Sequence, residues 1–417
     1  MSGGFGARQG WRYGLLGLPL AFVALPLYVI LPNHYAREFS VPLGALGLVL
    51  LGARLLDALI DPLLGRFSDR LFARSVPAVL GFGGAAALLL AIGFALLFFP
   101  ATRAPQALLA WAALLLLLTY AAYSGLSIAH QSWGAMLGGD EGQRSRIVAW
   151  REGFGLVGVL VASITPVALG LPATVLLFWL ALVAGLLAWA RAPAPQPRPA
   201  PFSSSLWQPF KRDAFRRLLL VFVLNGVASA LPATLILFFV QDRLQAPKTL
   251  EPVFLGSYFA CAALALPLWL RLVRLMGLAR TWLCGMLLSL AAFLCAAQLG
   301  AGDSAAFIAV CALSGVALGT DLALPGALLA GVIAQAGDRG HSEGAYFGWW
   351  NFATKLNLAL AAGGSLPLLA WLGYTPGVHS AQGLQALAAT YCLLPCVLKG
   401  AAALALYAFI VREPAPS

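Results

Sequence analysis

Asp57 and Asp61 stand one helical turn apart in an otherwise apolar stretch, GARLLDALIDPLLGRFSDR, with Arg54 on the same face. Two carboxylates this close in a low-dielectric medium repel when both are ionised, so the pair must hold a proton or share a cation. That is exchange chemistry: the pair changes its charge with whatever it binds, and Arg54 neutralises part of it. A fixed salt bridge between helices is the plainer account. It explains less, because the second acid adds desolvation cost without adding packing. Membrane transferases also use aspartates at this spacing to hold magnesium and a diphosphate, but they need a second acidic motif. Here Asp69 lies beyond Gly65 in a basic loop and Asp321 is single, so neither a catalytic nor a metal site is expected.

Asp321, Lys355 and Lys399 are the other charges placed inside apolar runs. At the bilayer centre such a group costs roughly 2.5–3.5 kcal/mol on insertion scales and marks function by default. Lys355 sits about a third of the way along its helix, too deep to snorkel, and is expected to pair with an aspartate of the second or tenth helix. Lys399 has no evident role. The fourth helix offers Ser124, Ser127, His130, Gln131 and Trp133. His130 could relay protons near neutral pH or be a neutral tie between helices. Arg151, opening the fifth helix with Glu152, could meet substrate or anchor the helix at the membrane face. Asn225 supplies polar lining in the seventh helix, and Trp349 and Trp350 are candidates for stacking on a sugar, against the commoner roles of packing and interface belt.

These residues sit in a chain of 417 residues that is 61% hydrophobic and 10% charged, with mean hydropathy +0.87. A soluble fold is excluded. Long Leu/Ala/Val runs, rather than ten-residue alternation, exclude an outer-membrane barrel and leave closed helices. Polar breaks delimit helices near 13–32, 42–63, 76–98, 107–137, 148–169 and 173–190, then 217–240, 252–270, 281–300, 305–335, 345–372 and 384–411. The first run is longer than a signal-peptide core and reads as a retained helix. Residues 191–217, Pro-rich and then amphipathic and basic, form a central cytoplasmic loop between an N-terminal half, 1–190, and a C-terminal half, 218–417. Among loop bases only Arg37, Arg103, Arg243 and Lys248 fall on one side; all others, Arg198 included, fall on the opposite side. The positive-inside rule then places both termini in the cytoplasm. Topology thus explains the net charge of +11, and no nucleic-acid partner is implied. The six cysteines lie in apolar stretches and read as small core residues.

Two six-helix halves around a basic loop are the layout of major facilitator transporters, in which substrate binds between halves built from inverted repeats. The residues carry a narrower likeness. Arg54, Asp57, Asp61 and Pro62, followed by Gly65, Asp69 and Arg70, resemble the second helix and following loop of the glycoside-pentoside-hexuronide:cation symporters, the melibiose permease group. DLALPGALLAG and EGAYFGWWNFATKLNLALA resemble that group's later helices, the second with its lysine, here Lys355. The resemblance implies a cation-coupling site at Asp57 and Asp61, substrate contact near Arg151, and a cytoplasmic gate at Gly65, Asp69 and Arg70. The sequence departs from it at Ile60, where that group has a cation-binding Asn, and in the first and fourth helices, which lack its sugar-anchoring acids.

The expectation is an all-α integral membrane protein of twelve transmembrane helices with the major facilitator fold, multi-pass in the cell inner membrane, monomeric among membrane lipids. It is not an enzyme and carries no cofactor; no nucleotide-binding motif is present, so an ion gradient must drive it. Asp57, Asp61 and Ser124 form the coupling site, and Arg54, His130, Gln131, Arg151, Asn225, Asp321, Trp350 and Lys355 the substrate and charge network. Protons are favoured over sodium, because Ile60 offers no oxygen to a cation that needs about five or six. The cargo is a small solute such as a sugar or glycoside. A lipid or other amphiphile carrier on the same fold is the competing reading.

Overall fold

The computed structural model describes residues 5–39, 43–195, 205–339, 341–374, 377 and 380–412. Of the bases used to orient the chain, Arg198 and the side chains of Arg37 and Lys248 lie outside the described residues. Helix is the only regular structure among those described, arranged as twelve rods. They are α1 (7–38), α2 (Leu43–Arg74), α3 (Val76–Phe98), α4 (Pro105–Leu137), α5 (Glu141–Ala168), α6 (Gly170–Ala190), α7 (213–243), α8 (Glu251–Met276), α9 (Leu278–Ala296), α10 (Ser304–Gln335), α11 (Glu343–Trp371) and α12 (381–411). Nine of them, among the described residues, are long and apolar enough to cross a membrane by length and composition.

Local chemistry explains where the rods begin and end. Ser75 accepts from the Ala78 amide at 3.2 Å, and Asp140 accepts from the Gln143 amide at 2.7 Å, capping α3 and α5. Gly138 and Gly139, at φ +64° and +96°, turn the chain between α4 and α5 in a conformation that side-chain-bearing residues avoid. α1 and α7 contain π-helical turns at Pro26–Ile30 and Phe239–Arg243, and α12 contains two.

The rods sort into two compact units. The first comprises residues 1–211 together with 330–352, and so takes in the end of α10 and the start of α11; the second comprises 212–329 and 353–417. The division falls at residues 211 and 212, inside the expected connector.

In the first unit α1 packs on α5 through glycines: a Cβ at Gly14 would lie 2.7 Å from the Trp150 carbonyl oxygen. Lipid tails are as apolar as leucine, so helices associate here through close packing rather than water exclusion. Trp133, Trp189, Phe94 and Phe178 fill the interior around α3, α4 and α6. In the second unit α7, α9 and α12 surround an aromatic stack in which Tyr391 and Phe239 lie 4.2 Å apart. The segment after α11 is tied to α7, with Tyr374 donating to Asp242 and the Gly377 amide reaching the same carboxylate at 3.0 Å.

Candidate functional site

Each unit buries polar side chains in its interior among the described residues. In the first, one face of α2 carries Asp57 and Asp61, which are 2% and 0% exposed. Ser124 of α4 donates to Asp57 Oδ1 at 2.9 Å. Tyr120 and Tyr123 flank that serine on α4; Arg54 reaches Tyr120, and Tyr123 lies within electrostatic range of Asp57, Asp61, Arg151 and Glu152. Arg151 is itself engaged by its neighbour, Nε to Glu152 Oε1 at 2.9 Å. Helical spacing on α2 thus sets Asp57 and Asp61, with Arg151 and Glu152, near Tyr123, while Tyr120 and Ser124, one turn apart on α4, meet Arg54 and Asp57. The tyrosines carried no sequence signal beyond spacing, Tyr120 preceding Tyr123 by three residues and Ser124 by four.

His130 lies at the margin of this cluster, within electrostatic range of Arg151, which also hydrogen-bonds Tyr13. Its Nε2 meets the Tyr13 carbonyl at 2.9 Å, the Tyr13 hydroxyl donates to the His130 carbonyl at 3.1 Å, and its ring lies between Tyr13 and Trp189. This is a tie between α1, α4 and α6. Gln131 donates to Ser127 at 2.9 Å and, more weakly, to Asn351 of α11 at 3.4 Å. Trp350 is buried, whereas Trp349 packs on Trp207 and Phe210 of the connector and donates to the Leu206 carbonyl at 2.9 Å.

At the end of α2, Asp69 caps the N-terminus of α11 from another helix: the Gly344 amide donates to Oδ1 at 2.6 Å and the Ala345 amide to Oδ2 at 2.9 Å. A helix N-terminus favours such an anion through its unsatisfied N–H groups. Gly65, Gly344 and Gly348 allow the approach, since a Cβ at Gly348 would lie 2.7 Å from the Asp61 carbonyl oxygen. Arg70 is exposed next to this contact. Asp69 lies beyond the expected end of the second span. Burial first, and then the neighbouring Glu343 carboxylate, push its carboxyl well above the usual range, against the two amide donors that pull it down.

The docked form therefore holds a proton more tightly than a solvated Asp69 would. Docking strengthens as pH falls through the raised range and weakens as pH rises through it. Hydrogen exchange of the Gly344 and Ala345 amides, corrected for intrinsic pH dependence, is expected to accelerate in the wild type as pH rises above the usual carboxylate range. In Asp69→Asn, which cannot titrate, the corrected rate should be flat. A flat wild-type profile would refute the linkage.

In the second unit Asp321 of α10 accepts four hydrogen bonds, two on each oxygen. Asn225 and Trp282 donate to Oδ1 at 3.0 and 2.7 Å, and Ser229 and Lys399 donate to Oδ2 at 3.3 and 3.1 Å. Lys399 is thus an ionic partner of Asp321. A lysine on α12 therefore occupies the carboxylate of the tenth-helix aspartate, one of the two helices' acids expected to meet Lys355. Trp282 and Ser229 went unnoticed in the sequence, although Ser229 follows Asn225 by one turn and so shares its face. Lys399 was detectable too, since a lone lysine in a span needs an acid and Asp321 is the acid placed within the spans of its half.

Twelve helices, nine of them long and apolar enough among the described residues to cross a membrane, with buried charges between rods, describe a polytopic membrane fold. The chain belongs to the MFS/sugar transport protein family, whose model matches residues 12–413, and it is a transporter rather than an enzyme. Among solved structures it is similar to a bacterial homologue of the iron transporter ferroportin in the outward-facing state. That match has 16% identity and a TM-score of 0.75, and it covers 97% of this chain and 99% of that one. It is also similar to the E. coli fucose:proton symporter, with 14% identity and a TM-score of 0.68, covering 94% of this chain and 98% of that one. At such identities these likenesses define the major facilitator fold alone. No curated protein matches the chain by sequence.

Proposed function

We propose that the chain is a proton-coupled symporter of a small solute, sugar or glycoside in class, with Asp57 and Asp61 as the coupling pair. The carrying observation is that both carboxylates are buried on one face of α2, with the Ser124 hydroxyl on Asp57. Protonating one of them removes the repulsion that burial imposes, so proton binding and conformational preference are linked. Ile60 adds no oxygen, which suits a proton better than sodium. The family description and the fucose:proton symporter's fold support the sugar class, and the resemblance to the melibiose permease group supports the position of the pair. On this reading the protein resides in the inner membrane with both termini cytoplasmic, and Asp69 docks α11 to close the cytoplasmic end. Lys355 remains the proposed charge partner of the coupling pair.

Inverted membrane vesicles and right-side-out vesicles loaded with a panel of glycosides test this. Accumulation is expected to persist in sodium-free buffer, to follow an imposed pH gradient and to collapse with a protonophore. A strict sodium requirement with no response to the pH gradient would overturn the proton assignment. Failure of every glycoside to exchange would overturn the cargo class.

A further inference from the structure

The second unit encloses a cavity of about 280 Å³ between α7, α8, α9, α10 and α12. Its walls are mostly apolar, with the Asp321–Lys399 pair at one end and aromatic rings, among them Tyr258, Phe293 and Tyr391, along its length. Ser314 also lines it. This serine is 7% exposed, and its buried Oγ has no hydrogen-bond partner among the described residues. Ser314 precedes Asp321 by seven residues, two turns on the same face of α10, so the two polar ends lie about 10 Å apart along the helix.

The free polar capacity of this cavity is specific. Four donors already fill the acceptor sites of Asp321, whereas Lys399 has three N–H groups and spends one on that carboxylate. The donor capacity left on Lys399 calls for an acceptor oxygen, and beside it the Ser229 hydroxyl, which lines the cavity, can also accept. The ion pair is neutral as a whole, and adding a net charge to a buried neutral pair carries a desolvation cost that nothing there offsets. An orphaned buried hydroxyl at the other end is also costly unless something occupies it.

We infer that this cavity is a ligand site for a small uncharged molecule with an aromatic or alicyclic body and a hydrogen-bonding oxygen at each end, one accepting from Lys399 and the other meeting Ser314. The site lies wholly within the C-terminal unit and does not depend on the carboxylate pair of α2. It holds whether or not that pair couples transport to protons.

Equilibrium dialysis of the full chain in phospholipid nanodiscs, with empty nanodiscs to subtract lipid partition, tests it. Three probes of similar length serve: uncharged 4-(4-hydroxyphenyl)butan-2-one, anionic 3-(4-hydroxyphenyl)propanoate and cationic tyramine. The ketone is expected to saturate at one per chain with at least tenfold higher affinity than either charged probe. Ser314→Leu, which fills the cavity without touching the ion pair, should weaken ketone binding tenfold or more, and Ser314→Ala should weaken it less. If Ser314→Leu fails to fold, Ser289→Leu fills the same cavity from α9. No saturable ketone binding above empty nanodiscs, equal or tighter binding of a charged probe, or full affinity in the cavity-filled variants would each overturn the inference. Transport assays on the same variants report separately on the coupling pair.

Discussion

Lys399→Met is expected to destabilise the C-terminal unit by about 3–5 kcal/mol, the usual penalty for leaving one member of a buried ion pair behind. The stranded group would be Asp321, which retains Asn225, Ser229 and Trp282 as donors but loses its counter-charge. Asp321→Asn alone strands Lys399, at 5% exposure, in the same way. Lys399→Met combined with Asp321→Asn removes both charges, and most of the loss should be recovered. Thermal unfolding of the purified protein in detergent, run as a double-mutant cycle, measures the coupling. A double variant as unstable as the sum of the singles would show that the pair contributes nothing as a pair.

The second large effect concerns the α2 pair. Asp57→Asn and Asp61→Asn should each abolish gradient-driven accumulation while leaving membrane insertion and folding intact, because each keeps the side-chain shape and removes the exchangeable charge. Ser124→Ala should do less. It removes one hydroxyl donor to a charged acceptor, a contribution of about 1.5–3 kcal/mol, and leaves both carboxylates in place. Substrate exchange down its own gradient, needing no net cation movement, should persist in at least one of the two Asn variants. Wild-type accumulation by both of them in vesicles would remove Asp57 and Asp61 from the coupling step.

Much of the architecture was legible in the residues because a bilayer leaves few options. Every backbone polar group must be satisfied within a span, so long apolar runs become helices, and polar breaks, prolines and glycines mark their ends. The expected breaks at 98, 137 and 190 coincide with the ends of α3, α4 and α6. The i, i+4 placement of Asp57 and Asp61 on one face likewise followed from helical periodicity alone, whereas a gating role for Asp69 was implied only by the resemblance of its loop.

Partner choice was a different matter. Sequence spacing relates residues on one helix, and it is silent on which of several helices faces another at a given depth. It could therefore offer Lys355 only an aspartate of the second or tenth helix, and it did not foresee that the packing of α7, α9, α10 and α12 gives Asp321 the donors Asn225, Ser229, Trp282 and Lys399. The same limit hid the neighbours of His130, the Tyr13 backbone and the Trp189 ring, which lie on other helices. From the chain alone came the membrane class, the twelve spans and the buried carboxylate pair, because hydrophobicity and helical period act locally. Only the tertiary structure decided which charges neutralise one another and where a cavity remains, because those depend on contacts between helices far apart in sequence.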